Sequence, residues 1–184
     1  MTSTESQPKT FQLLETTIAG IHAAFRSGEL TARQLVEAYL ARIEAYDRGG
    51  PGINSIITVN PDALAVADAL DVAFRSTGLT GPLHGIPVIV KDQMDVKGTP
   101  TTMGSVLFKD YYPDRDAFVA ERLRKAGAII LAKATLGELG GGDTHGTLFG
   151  STRNPYDPER TVGGSSGGSA AAASANLGAV TLGQ

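Results

Sequence analysis

Three short apolar runs, Ser55 to Val59, Ile86 to Val90 and Ala128 to Ala132, stand between stretches of helical spacing, and this alternation constrains the fold more than any other feature. Short runs rich in Ile and Val suit buried strands. Ile18 to Ser27 reads as a first helix, ended by Gly28 in a left-handed cap. Thr31-Ala32-Arg33-Gln34 then has capping-box spacing, in which hydroxyl and amide satisfy orphan donors reciprocally. The helix that follows places Leu35, Tyr39, Arg42/Ile43 and Tyr46 on one stripe, widened by Val36 and Leu40, before Asp47 to Gly52 breaks it. Asn60-Pro61 opens another helix, with the Asn as cap and the Pro in its first turn, running to about Arg75. Asp114 to Ala126 is a further helix, stopped by Gly127. Ser166 to Asn176 is the next, and Gly178 to Leu182 begins a fourth strand. Pro87 suits an edge strand or a strand start. Strands alternating with helices predict an α/β layered fold.

Composition narrows the function classes. The chain has 184 residues, 41% of them hydrophobic, which is enough for one domain with a core. A net charge of -3 with no acidic or basic block gives no nucleic-acid surface. The absence of cysteine excludes disulfides, cysteine nucleophiles and thiolate metal sites. His22, His84 and His145 are far apart and lack ligand spacing, so no metal site is expected. Met1 to Thr10 is polar without an apolar signal region, and no segment has the roughly eighteen consecutive apolar residues that span a bilayer. A soluble cytoplasmic protein is the expectation, with residues 1–15 as a polar tail and residues 16–184 as the N-terminal portion of a single domain.

Two motifs carry chemistry. In Gly163-Gly164-Ser165-Ser166-Gly167-Gly168-Ser169, the glycines let backbone N–H groups approach a ligand, and a helix starting at the second serine aims its positive end at the same point. That arrangement suits an oxyanion and equally a phosphate, although the run lacks both the P-loop ending and the dinucleotide-site opening. A flexible surface loop is the plain alternative. Lys91 closes the apolar run Ile86-Pro87-Val88-Ile89-Val90. A lysine there loses solvation, which lowers its pKa and lets it act as a base, although most strand-end lysines are simply solvated. Asp92 either pairs with it or faces elsewhere. Asp143, Thr144 and Thr147 form a polar loop after Gly140-Gly141-Gly142 that either lines a pocket or is only a turn.

Taken together, the segments resemble the amidase signature family. The match is carried by Leu83-His84-Gly85-Ile86-Pro87-Val88-Ile89-Val90-Lys91-Asp92, continuing through Asp95, Gly98 and Thr101 to Ser105. It is carried also by Phe149-Gly150-Ser151-Thr152-Arg153-Asn154-Pro155-Tyr156-Asp157 and by Val162 to Ala170. The three stretches occur in the family's order, and the likeness extends from about Thr17 to Gln184.

The resemblance implies a mixed sheet covered by helices and a Ser-cisSer-Lys machine without cofactor. Lys91 would be the neutral base and Ser165 the bridging serine, with a cis peptide at Gly164-Ser165. Gly163, Gly164, Ser166, Leu139, Gly141 and Asp143 would contact a small-molecule amide. The nucleophilic serine and its oxyanion donors would lie beyond Gln184, so the chain reads as an incomplete N-terminal part, inactive alone. The alternative is a short, catalytically dead derivative that binds an amide ligand or a partner protein. The resemblance leaves room for a homodimer of the full-length protein. Gln184 fits a subgroup with Gly-Gln-Glu at this point and leans away from the glutaminase component of a tRNA-dependent amidotransferase.

Overall fold

The computed structural model describes residues 11–184, so the first ten residues of the expected polar tail lie outside the described residues. Helix α1 (Ile18–Ser27) starts where the Thr17 hydroxyl accepts the Gly20 N–H, and it ends at Gly28 with φ 73°. Helix α2 (Ala32–Arg42) has both halves of the Thr31/Gln34 capping box. The Asp71 carboxylate adds acceptors for the Ala32 and Arg33 N–H groups at 2.8 and 3.0 Å, placing negative charge at the positive end of α2. The predicted stripe of α2 holds as far as Ile43, after which Ile43–Arg48 is a π-helical turn. That turn swings Tyr46 to the surface, where the Arg42 guanidinium lies 4.8 Å from its ring centre.

Strand β1 (Ile56–Val59) is followed by helix α3 (Ala63–Thr77), which begins later than the Asn60-Pro61 reading predicts. Asn60 is drawn into the sheet instead: its amide donates to the Ile130 carbonyl at 2.7 Å, and its carbonyl accepts the Asp62 N–H. Strand β2 (Pro87–Lys91) starts at Pro87, yet it lies between two neighbours, so the strand-start reading holds and the edge reading does not. Helix α4 (Phe118–Lys125) begins four residues later than expected. Residues before it are held extended, because the Ala117 N–H bonds to the Asp95 carbonyl and the Asp116 carboxylate accepts the Lys97 N–H. Strand β3 (Ile129–Ala134) runs two residues past its apolar core to include Lys133. A two-stranded hairpin, β4 (His145–Gly146) and β5 (Gly150–Ser151), precedes helix α5 (Gly167–Ser174) and strand β6 (Val180–Leu182).

The main sheet has the order β1-β3-β2-β6, with β1 antiparallel to β3 and the other pairs parallel, so it is mixed. Its two central strands are buried along their whole length, as continuous apolar runs require. Full burial of each Ile or Leu in β3 stabilises the fold by about 1.5–3 kcal/mol relative to exposure. Gly85, at φ 71°, marks a close approach: a Cβ there would come 2.7 Å from the Phe25 ring. His22 is buried, and its Nε2 meets the His84 carbonyl at 2.9 Å. Among the described residues no helix is long and apolar enough to cross a membrane.

Candidate active site

Strand β2 reaches β3 through α4, and β3 then crosses back over β2 to β6 through α5. Right-handed crossovers put α4 and α5 on opposite faces of the sheet. The crevice where such connections part, at the carboxyl ends of the strands, is where open α/β sheets bind ligands. Lys91 is the last residue of β2, and Ser165 stands just before α5. The two motifs therefore meet at this crevice.

Lys91 is only 1% exposed, and its Nζ donates to Ser165 Oγ at 2.7 Å. Among the described residues that hydroxyl is its one hydrogen-bond partner. Burial pushes the Lys91 ammonium below the ordinary lysine value, and among the described residues no carboxylate opposes it. The Gly164–Ser165 peptide is cis, as the family resemblance implies.

The serine run is held from both sides. The Gly137 N–H donates to the Ser165 carbonyl at 2.9 Å. The Thr144 hydroxyl donates to the Gly163 carbonyl at 2.8 Å and accepts the Gly167 N–H at 2.9 Å. Gly168 packs so tightly on Thr135 that a Cβ has no room. Ser166 Oγ donates to the Gln184 carbonyl and accepts the Gln184 N–H, both at 2.9 Å. Ser169 Oγ donates to the Leu182 carbonyl and Ser174 Oγ to the Ala170 carbonyl, and neither is hydrogen-bonded to Lys91 or Ser165.

Of the other residues singled out by sequence, Gly141 and Asp143 lie on the turn that packs against Gly164, whose Cβ position would fall on the Gly142 carbonyl. Leu139 is on the same turn with φ 57°, its side chain 58% exposed and its N–H bonded to the Met103 carbonyl at 2.9 Å. Asp143 also borders an open recess of about 450 Å³ that Arg153 and Arg160 share. Asp92 faces away from Lys91 and stands 3.3 Å from Lys133 Nζ. Sequence reasoning passed over Lys133, Gly137 and the bridging role of Thr144. Only Thr144 had a usable signal, as a hydroxyl in a polar loop next to glycines.

Residues 34–184 match the family model described as Amidase. A glutamyl-tRNA(Gln) amidotransferase component from Halorhodospira halophila is 44% identical over 163 residues, which is 88% of this chain and 33% of that protein. The native peptide amidase of Stenotrophomonas maltophilia superposes with a TM-score of 0.89 at 41% identity, covering 93% of this chain and 36% of that one. An amidase family protein from Bacillus anthracis superposes with a TM-score of 0.88 at 31% identity, covering 93% of this chain and 35% of that one. The chain spans about a third of the length of these relatives. Matched along most of its length by that model, and carrying the lysine–serine contact at the crevice of its sheet, this chain belongs to the amidase family.

Proposed function

We propose that this chain supplies the base and the bridging hydroxyl of an amidase that hydrolyses carboxamide C–N bonds through an acyl-enzyme. The observation that carries the reading is the 2.7 Å contact between Ser165 and a buried Lys91 that has no other hydrogen-bond partner among the described residues. In the neutral form the Lys91 amine accepts the Ser165 hydroxyl proton across this distance, and Ser165 in turn accepts a proton from a nucleophilic serine. That serine is the one the family pattern places past position 184. Its Oγ attacks the amide carbon, the amine leaves with the proton returned from Lys91 through Ser165, and water then cleaves the ester. Ser166, Ser169 and Ser174 are not assigned that nucleophilic role, since their hydroxyls donate to the Gln184, Leu182 and Ala170 carbonyls.

In this reading Gly163, Gly164, Ser166, Leu139, Gly141 and Asp143 contact the substrate. The names of the relatives span an amidotransferase and a peptide amidase, so the substrate is taken no more narrowly than a small carboxamide.

The test uses the complete open reading frame, assayed for release of ammonia or amine from a carboxamide panel, with mass spectrometry for the acyl-enzyme. Lys91→Ala and Ser165→Ala should each lower turnover by about 10²–10⁴-fold while circular dichroism stays unchanged. Near-normal turnover in either variant removes that residue from the mechanism. Carboxamide binding with no turnover in the complete protein would replace hydrolysis by the ligand-binding reading.

A further inference from the structure

Two lysines end up buried at the carboxyl ends of β2 and β3, and only one of them meets Ser165. In the parallel ladder Val90 lies opposite Lys133 and Lys91 opposite Ala134. Side chains alternate along a strand, so the two amines leave the sheet on opposite faces. Lys133 Nζ donates to the Pro100 carbonyl and to Thr101 Oγ1, both at 2.8 Å, and stands 3.3 Å from Asp92 Oδ1. Two ammonium protons thus have oxygen acceptors, while Asp92 Oδ1 faces the charge as an ion pair and makes no hydrogen bond of its own among the described residues. The other Asp92 oxygen accepts the Thr102 N–H at 3.0 Å and the Thr102 hydroxyl at 2.7 Å. Neither Lys133 nor Asp92 has exposed side-chain surface. Burial pushes the Lys133 ammonium down, while Asp92 and Asp95 oppose that shift.

This network touches the Lys91–Ser165 contact from two directions. Asp92 is the residue after Lys91, so fixing its carboxylate fixes the end of β2 from which Lys91 projects. The strap Pro100–Thr102 leads into Met103, whose carbonyl accepts the Leu139 N–H at 2.9 Å, and the same turn donates the Gly137 N–H to Ser165. We propose that Lys133, paired with Asp92, is a positioning residue that holds Lys91 and Ser165 in register from the opposite face of the sheet. The proposal rests on the reading of these two residues as base and bridge. A pair that served stability alone would be replaceable by uncharged residues without kinetic consequence.

The experiment uses the complete protein with Lys133→Met/Asp92→Asn, which removes both charges together and strands neither. The folded variant should lose about 10²-fold in kcat, the scale of an ångström-sized misplacement, with KM little changed. The acid limb of its kcat/KM profile should also move to higher pH. A Lys91 released from its dry position regains water, and burial is what holds its pKa down. A folded double variant with wild-type kcat and an unmoved limb overturns the proposal. If the double variant does not fold, Thr101→Val, which keeps both charges and removes one acceptor, decides by the same two readouts. Lys91→Ala runs alongside. Should it retain turnover, the base assignment falls and this inference with it. Should it be dead while the Lys133 variants behave as wild type, only this inference falls.

Discussion

Lys91 and Lys133 sit one residue out of register on neighbouring parallel strands, each with almost no exposed surface, yet their surroundings differ sharply. Lys133 has two oxygen acceptors at 2.8 Å and a carboxylate at 3.3 Å that balances its charge. Lys91 has one serine hydroxyl. Burial penalises the charged form at both sites, but only at Lys133 do neighbouring carboxylates compensate. The difference teaches that burial alone does not make a lysine reactive. A buried amine left without compensation is the one whose proton is easy to remove.

Breaking this contrast at Lys91, the proposed base, gives the largest effect. Lys91→Met should lower the complete protein's turnover by about 10²–10⁴-fold, the usual worth of a general base. Its thermal midpoint should hold or rise, since no compensated charge is lost. Steady-state kinetics with a thermal melt checks both halves. At the other end, Lys133→Met strands the Asp92 carboxylate and should cost about 3–5 kcal/mol of stability by denaturant titration. Equal destabilisation by the two substitutions would erase the contrast.

Asp47 sharpens the comparison with an acid. Its carboxylate is buried and accepts from the Ser55 N–H at 2.7 Å, the Ser55 hydroxyl at 2.5 Å and the Ile56 N–H at 3.0 Å. Burial pushes its pKa up, and those hydrogen bonds oppose the shift. Being fully partnered, it belongs with Lys133, so Asp47→Ala should destabilise by about 1.5–3 kcal/mol and leave KM alone. A changed KM with unchanged stability is the contrary result.

The smallest effect is expected at His84, whose Nδ1 accepts the Thr80 N–H at 3.2 Å. Burial first, and then His22, push the His84 pKa down, against the pull of Asp71. The unfolded chain therefore binds a proton here more readily than the folded one. This contribution to stability is complete above the ordinary histidine value of about 6.5 and is lost as the pH falls below it. Thermal midpoints from pH 8 to 5 should show the decline, and His84→Gln should flatten it.

Much of the fold is legible because its signals are local. The bounds of α1, the Thr31/Gln34 capping box and the Gly28 cap all come from residues within one helical turn of each other. The places that are not legible share a cause. The late start of α4 depends on Asp95 and Lys97, and that of α3 on Ile130 across the sheet. The β4–β5 hairpin has two-residue strands, too short for any periodicity to register. The burial of His22 escapes sequence reasoning because its partner, the His84 carbonyl, lies 62 residues away.

At the site the division is the same. By itself the sequence singled out Lys91 at the end of an apolar run and the serines in their glycine frame, and the family resemblance gave Lys91 and Ser165 their expected roles. Only the tertiary structure decided that Asp92 serves Lys133, that Thr144 ties both ends of the serine run, and that Gly137 holds the Ser165 carbonyl. Burial is written in composition along a segment, whereas the partner of a buried charge is set by which strand ends the topology brings together. For a lysine, that partner decides between support and chemistry.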